Sequence, residues 1–85
     1  MLEYNMFRRL PSWSQIEVLT RTGTLLAQRQ HLDRTITLYT YQHHFVEVWA
    51  RGDLEIVTSF QKNVNTLAIL EPYTDHLEVE DMLGY

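Results

Sequence analysis

Eighty-five residues, a net charge of −4 and the absence of cysteine exclude a second sizeable domain, a disulfide scaffold, zinc–thiolate sites and thiol catalysis. With 45% hydrophobic and 21% charged residues the composition is that of an ordinary globular chain, and its aromatic and β-branched content argues against disorder. A chain this short buries only roughly 60–65% of its unfolded surface, so a partner subunit would widen a thin stability margin.

The basic residues are scattered, with Arg8–Arg9 the one adjacent pair. Together with the acidic balance this argues against a partner held through phosphate contacts, so no nucleic acid is expected. Apolar runs such as Leu67–Leu70 are too short to span a bilayer. The opening MLEYNMFRRLP mixes charged residues into its apolar positions and reads as no signal-peptide core. The expectation is a soluble protein of the cytoplasm with no membrane partner.

Residues 1–11 form an N-terminal arm whose Leu2, Tyr4, Met6, Phe7 and Leu10 are expected to dock on the rest of the chain; a frayed terminus is the alternative. Residues 12–22 read as a helix. Trp13, Ile16 and Leu19 recur every three residues, Ser12 or Ser14 can cap, and Ser14-x-x-Glu17 fits a capping box. Gly23 suits a left-handed helix end. A strand at 16–20 is the competing reading, because Ile16 and Val18 alternate with polar neighbours.

Residues 24–60 are rich in Thr, Val, Ile, Tyr, Phe and Trp, the types that suit a pleated surface. Four strands fit, at about 24–31, 34–41, 44–51 and 54–60, and their short connections require antiparallel hairpins. Two-residue loops at 42–43 and 52–53 place Leu38 opposite Glu47 and Trp49 opposite Ile56. One face then gathers Ile36, Leu38, Phe45, Trp49, Leu54, Ile56 and Phe60. The other gathers Thr35, Thr37, Tyr39, Tyr41, His44, Val46, Val48, Ala50, Glu55, Val57 and Ser59, a half-polar set expected to face away from the core.

Residues 61–66 read as a polar loop. Within 64–83, Leu67, Leu70, Tyr73 and Leu77 recur at helical spacings, Met82 and Leu83 follow, and Pro72 divides the segment. Two or three short helical pieces are expected to pack Leu67, Leu70, Tyr73 and Leu77 on the core face. Asp75, Glu78, Glu80 and Asp81 would give them an acidic outer surface. The expected fold is therefore α+β over a single domain, 1–85: an N-terminal helix, a four-stranded antiparallel meander, and short C-terminal helices on one sheet face.

Glu47 is the residue that most invites a functional reading. Mid-strand on the core face, its carboxylate must be paired or protonated. A loop at Asp33–Arg34 would put Arg29 opposite Leu38, on the same face and within reach. The plain reading is a structural ion pair; the sharper one is a pocket around Glu47, Arg29 and Trp49 holding a ligand or a catalytic carboxylate.

Metal binding finds little support. His43 and His44 point to opposite faces of a strand, as do His44 and Glu47, while His31 and His76 stand alone. No nucleophile motif or phosphate-binding glycine loop is present, so neither a cofactor nor a catalytic residue is expected. The leading expectation is a non-catalytic interaction module that forms a homodimer through Tyr39, Tyr41, His44, Val46, Val48 and Val57. On that reading Val46→Asp or Val48→Asp breaks the dimer and spares the fold. On the pocket reading Glu47→Gln removes a ligand.

Overall fold

The computed structural model describes residues 2–60 and 64–76. It is an α+β fold in which α1 (Tyr4–Phe7) and α2 (Ser12–Thr22) precede four strands, β1 (Thr24–His31), β2 (Arg34–Tyr41), β3 (His44–Arg51) and β4 (Leu54–Ser59). A short α3 (Thr66–Leu70) and a 3-10 helix (Glu71–His76) follow. The strands form one antiparallel sheet in the order β1-β2-β3-β4. The expectations for Leu77, Glu78, Glu80, Asp81, Met82 and Leu83 fall outside the described residues.

The β2–β3 and β3–β4 ladders have the register inferred from their two-residue loops, with Leu38 opposite Glu47 and Trp49 opposite Ile56. The β1–β2 ladder differs. Its loop is Leu32–Asp33, which places Arg29 opposite Ile36 rather than Leu38, and a bulge separates Leu25 from Ala27. A shift of two residues keeps Arg29 on the face first assigned to it, because side chains alternate with period two. The backbone at Leu32, Gln42, His43 and Gly52 has φ of 57°, 48°, 68° and 58°. Only glycine adopts this region freely, so Leu32, Gln42 and His43 each hold their turn at a cost of about 1 kcal/mol.

The expectation of one covered face is corrected: helices cover both. On one face Ile69 and Tyr73 pack on Ile36 and Leu38, flanked by Ala27, Phe45, Trp49, Phe60 and Leu70. On the other, Phe7 and Leu19 pack on Tyr41, Val46 and Val48, with Leu2, Tyr4, Ile16, Val18, Tyr39 and Val57 around them. The N-terminal arm docks as expected through Leu2, Tyr4 and Phe7, whereas Met6 stays exposed. Tyr41 donates its hydroxyl to the Leu2 carbonyl.

Helix α2 also corrects its expected inner face. Trp13 is exposed, while Gln15 and Leu19 are buried. On a helix of 3.6 residues per turn, Trp13 lies about 120° round from Leu19, but Gln15 only about 40°. The buried Gln15 amide is satisfied by donating to the Phe7 carbonyl at 3.0 Å. No serine caps the helix; Pro11 occupies that position, and Gly23 ends it in an extended conformation, φ −81°. Glycine is needed there for space, since a Cβ would meet the Leu19 carbonyl oxygen at 2.8 Å. In α3, Asn65 accepts from the Ala68 amide at 2.8 Å. That start turns Ile69 and Tyr73 to the sheet and leaves Leu67, an expected core residue, in solvent.

Candidate functional site

Glu47 lies mid-strand in β3 and is buried at 6% exposure. Its Oε2 accepts from the Tyr73 hydroxyl at 2.6 Å, and its Oε1 from the Trp49 indole at 3.2 Å. Arg29 supplies the counter-charge, with a terminal nitrogen 3.9 Å from Oε2. The guanidinium also lies over the Trp49 ring at 5.6 Å and the Tyr73 ring at 5.2 Å, where its charge meets the negative faces of two aromatic systems. Arg29 Nε is buried without a hydrogen-bond partner among the described residues. The structure thus brings Glu47, Arg29 and Trp49 together and adds Tyr73, which links the C-terminal 3-10 helix to the sheet.

Each carboxylate oxygen already holds a donor from within the chain, and the Tyr73 ring lies against the Arg29 guanidinium. Burial, then the hydrogen bond to Glu47 and its negative charge, push the Tyr73 hydroxyl well above the ordinary tyrosine value near 10. The phenol therefore stays protonated at neutral pH and works as a donor, not as a base. Because the folded state raises this value, the stabilisation is complete below about pH 10 and is lost as the pH climbs beyond it. Denaturant titrations should show a fall in stability above pH 10 that Tyr73→Phe shows to a smaller degree. An identical alkaline profile in that variant would remove Tyr73 from the account.

The six interface residues expected from sequence lie on the face beneath the N-terminal helices. Tyr41, Val46 and Val48 are buried there at 2%, 0% and 6%. Tyr39, His44 and Val57 are half-buried, and His44 stacks on Tyr4 with ring centroids 3.6 Å apart. The chain's own α1 and α2 cover the centre of this face, so Tyr41, Val46 and Val48 are not available to a partner.

An open apolar surface lies on the opposite face, along β4. Leu54 and Ile56 are 63% and 50% exposed. With Trp49 and Thr58 they line a groove of about 340 Å³, bordered by Arg34, Ala50 and Arg51. Arg34 stands over the Trp49 ring at 6.0 Å, and Arg51 pairs with Asp33 at 2.8 Å. Leu54 and Ile56 were assigned to the core face from sequence. Their exposure follows from the reach of the C-terminal helices, which pack toward β1.

Among the described residues no three His, Asp or Glu side chains are grouped to hold a metal, and no helix is long and apolar enough to cross a membrane. Comparison with protein-family models, curated proteins and solved structures finds no match to this chain.

Proposed function

We propose that the chain is a non-catalytic protein–protein interaction module that self-associates into a dimer, with the β4 side of the sheet as its interface. The observation that carries this reading is the exposed Leu54–Ile56 row beside Trp49, on the outermost strand of the sheet. An apolar row on an unpaired strand edge is a surface that proteins cover or protect. The Glu47 cluster supports a structural role more than a ligand pocket, because both carboxylate oxygens are engaged from within the chain. The cysteine-free sequence suits a reducing compartment, and the cytoplasm is the proposed setting.

The strength of such a contact can be bounded. Covering two half-exposed side chains on each copy contributes about 4 kcal/mol, and each new ladder hydrogen bond adds about 0.5–1.5 kcal/mol. Association costs at least about 4 kcal/mol in lost freedom. With about four to six such bonds the net is about 4–5.5 kcal/mol, a weak dimer with a dissociation constant on the order of 0.1–1 mM. Ile56→Lys should abolish it while leaving the circular dichroism spectrum and melting temperature within a few degrees of wild type, since position 56 is half in solvent. An Ile56→Lys variant that associates as well as wild type would remove this surface from the proposal.

A further inference from the structure

Resting on the reading of self-association just given, we infer that a second copy of this chain adds its β4 to β4 edge to edge. Ile56 then lies opposite its own counterpart on a two-fold axis perpendicular to the sheet, giving one eight-stranded sheet. Among the described residues no further strand pairs with either outer strand, and the two are built differently. β1 carries a bulge at Leu25/Ala27, where Leu25 and Leu26 are exposed, followed by the polar Gln28, Gln30 and His31. Bulges and polar or basic residues are the devices that keep an edge from pairing. β4, Leu-Glu-Ile-Val-Thr-Ser, has no bulge, and its pairing with β3 runs without a register shift.

The register follows from parity and charge. Antiparallel neighbours share a face only when residues of the same parity stand opposite. Centring on Glu55 would oppose two carboxylates, which destabilises a pair. Centring on Val57 puts the half-buried helix-side residue on the axis and leaves each Ile56 facing Thr58. Centring on Ile56 sets Glu55 against the uncharged Val57 and Leu54 against Thr58. It also brings both exposed Leu54–Ile56 rows into one continuous apolar strip. The Ile56- and Val57-centred registers both avoid opposed like charges, and of the two only the first sets the exposed Ile56 side chains against each other. Adding a strand to a bare edge is a general mode of recognition, with backbone hydrogen bonds supplying affinity and side-chain rows the register.

Because the sequence has no cysteine, single thiols read this register directly. Opposed residues across an antiparallel pair have Cα atoms about 4.5–5.5 Å apart, inside the span a disulfide bridges. Under the Ile56-centred register, residues 55 and 57 each lie roughly 8 Å from their own counterparts, beyond that span. With diamide as oxidant and protein near 1 mM, a concentration set by the estimated affinity, Ile56→Cys should convert to a covalent dimer. Glu55→Cys, Val57→Cys and the remote surface control Trp13→Cys should remain largely monomeric on non-reducing gels.

The double variant Leu54→Cys/Thr58→Cys should cross-link as well, whereas either single substitution should not. Preferred cross-linking at 55 or 57 would overturn the register. Failure of both Ile56→Cys and the double variant, with the reduced proteins still dimeric by light scattering, would overturn edge pairing and leave self-association standing. Monomers throughout, wild type included, would overturn both.

Discussion

Val46→Asp should unfold the protein rather than disperse an assembly. Val46 is 0% exposed and packs with Phe7, Leu19 and Tyr41 beneath the N-terminal helices. A carboxylate there has no partner and loses its hydration, a penalty of several kcal/mol. The whole stability of a chain this length is only about 4–13 kcal/mol. The expected result is the loss of a cooperative thermal transition, or a melting temperature lowered by roughly 20 °C or more. Val48→Asp, at 6% exposure, should behave the same way. Retention of a native melting curve by either variant would mean that α1 and α2 do not cover this face.

The second large effect belongs to the Arg29–Glu47 pair. Arg29→Ala leaves the buried Glu47 carboxylate without its cation, and removing one member of a buried pair costs about 3–5 kcal/mol. Tyr73 and Trp49 still donate to the carboxylate, but neither neutralises it. The triple variant Arg29→Met/Glu47→Leu/Tyr73→Phe should recover most of that loss, because it removes the charges and the phenol that would otherwise lack an acceptor and leaves only the indole N–H of the half-buried Trp49 without its partner. Urea denaturation separates the cases. A loss below about 1 kcal/mol for Arg29→Ala would reclassify the contact as a solvent-screened surface pair, and a triple variant no better than Arg29→Ala would shift the cost to lost packing.

Comparing the two sheet faces shows what could be read from the residues. The β2–β3–β4 register was legible because two-residue loops and strict alternation constrain each other, so one slip would have mixed the faces. The β1 register was not, since neither the bulge at Leu25/Ala27 nor a turn beginning at Leu32 has a local signature. Burial of the second face was hidden by its polar residues. Thr37 is buried at 8%, yet its hydroxyl accepts from the Gln28 amide at 2.9 Å, and Gln15 is likewise satisfied. A row of Thr and Tyr reads as half-exposed unless the donors that satisfy it are known.

The buried carboxylate was legible in part. Glu47 stood out as a charge among Leu38, Phe45 and Trp49, and Arg29 as the cation on the same face. Tyr73 was missed as its closest partner, although it belonged to the row expected to pack on that face. A phenol aimed at a surface holding a buried carboxylate was the available signal. The open row at Leu54 and Ile56 was not legible, because its exposure depends on how far the C-terminal helices reach, which depends on the α3 start at Asn65.

Self-association through the β4 side is tested most directly by the solution mass of the wild-type chain. Light scattering coupled to size exclusion, from about 10 μM to about 1 mM, should give a mass that climbs from 10.2 kDa toward twice that value. A constant 10.2 kDa across the whole range would contradict it.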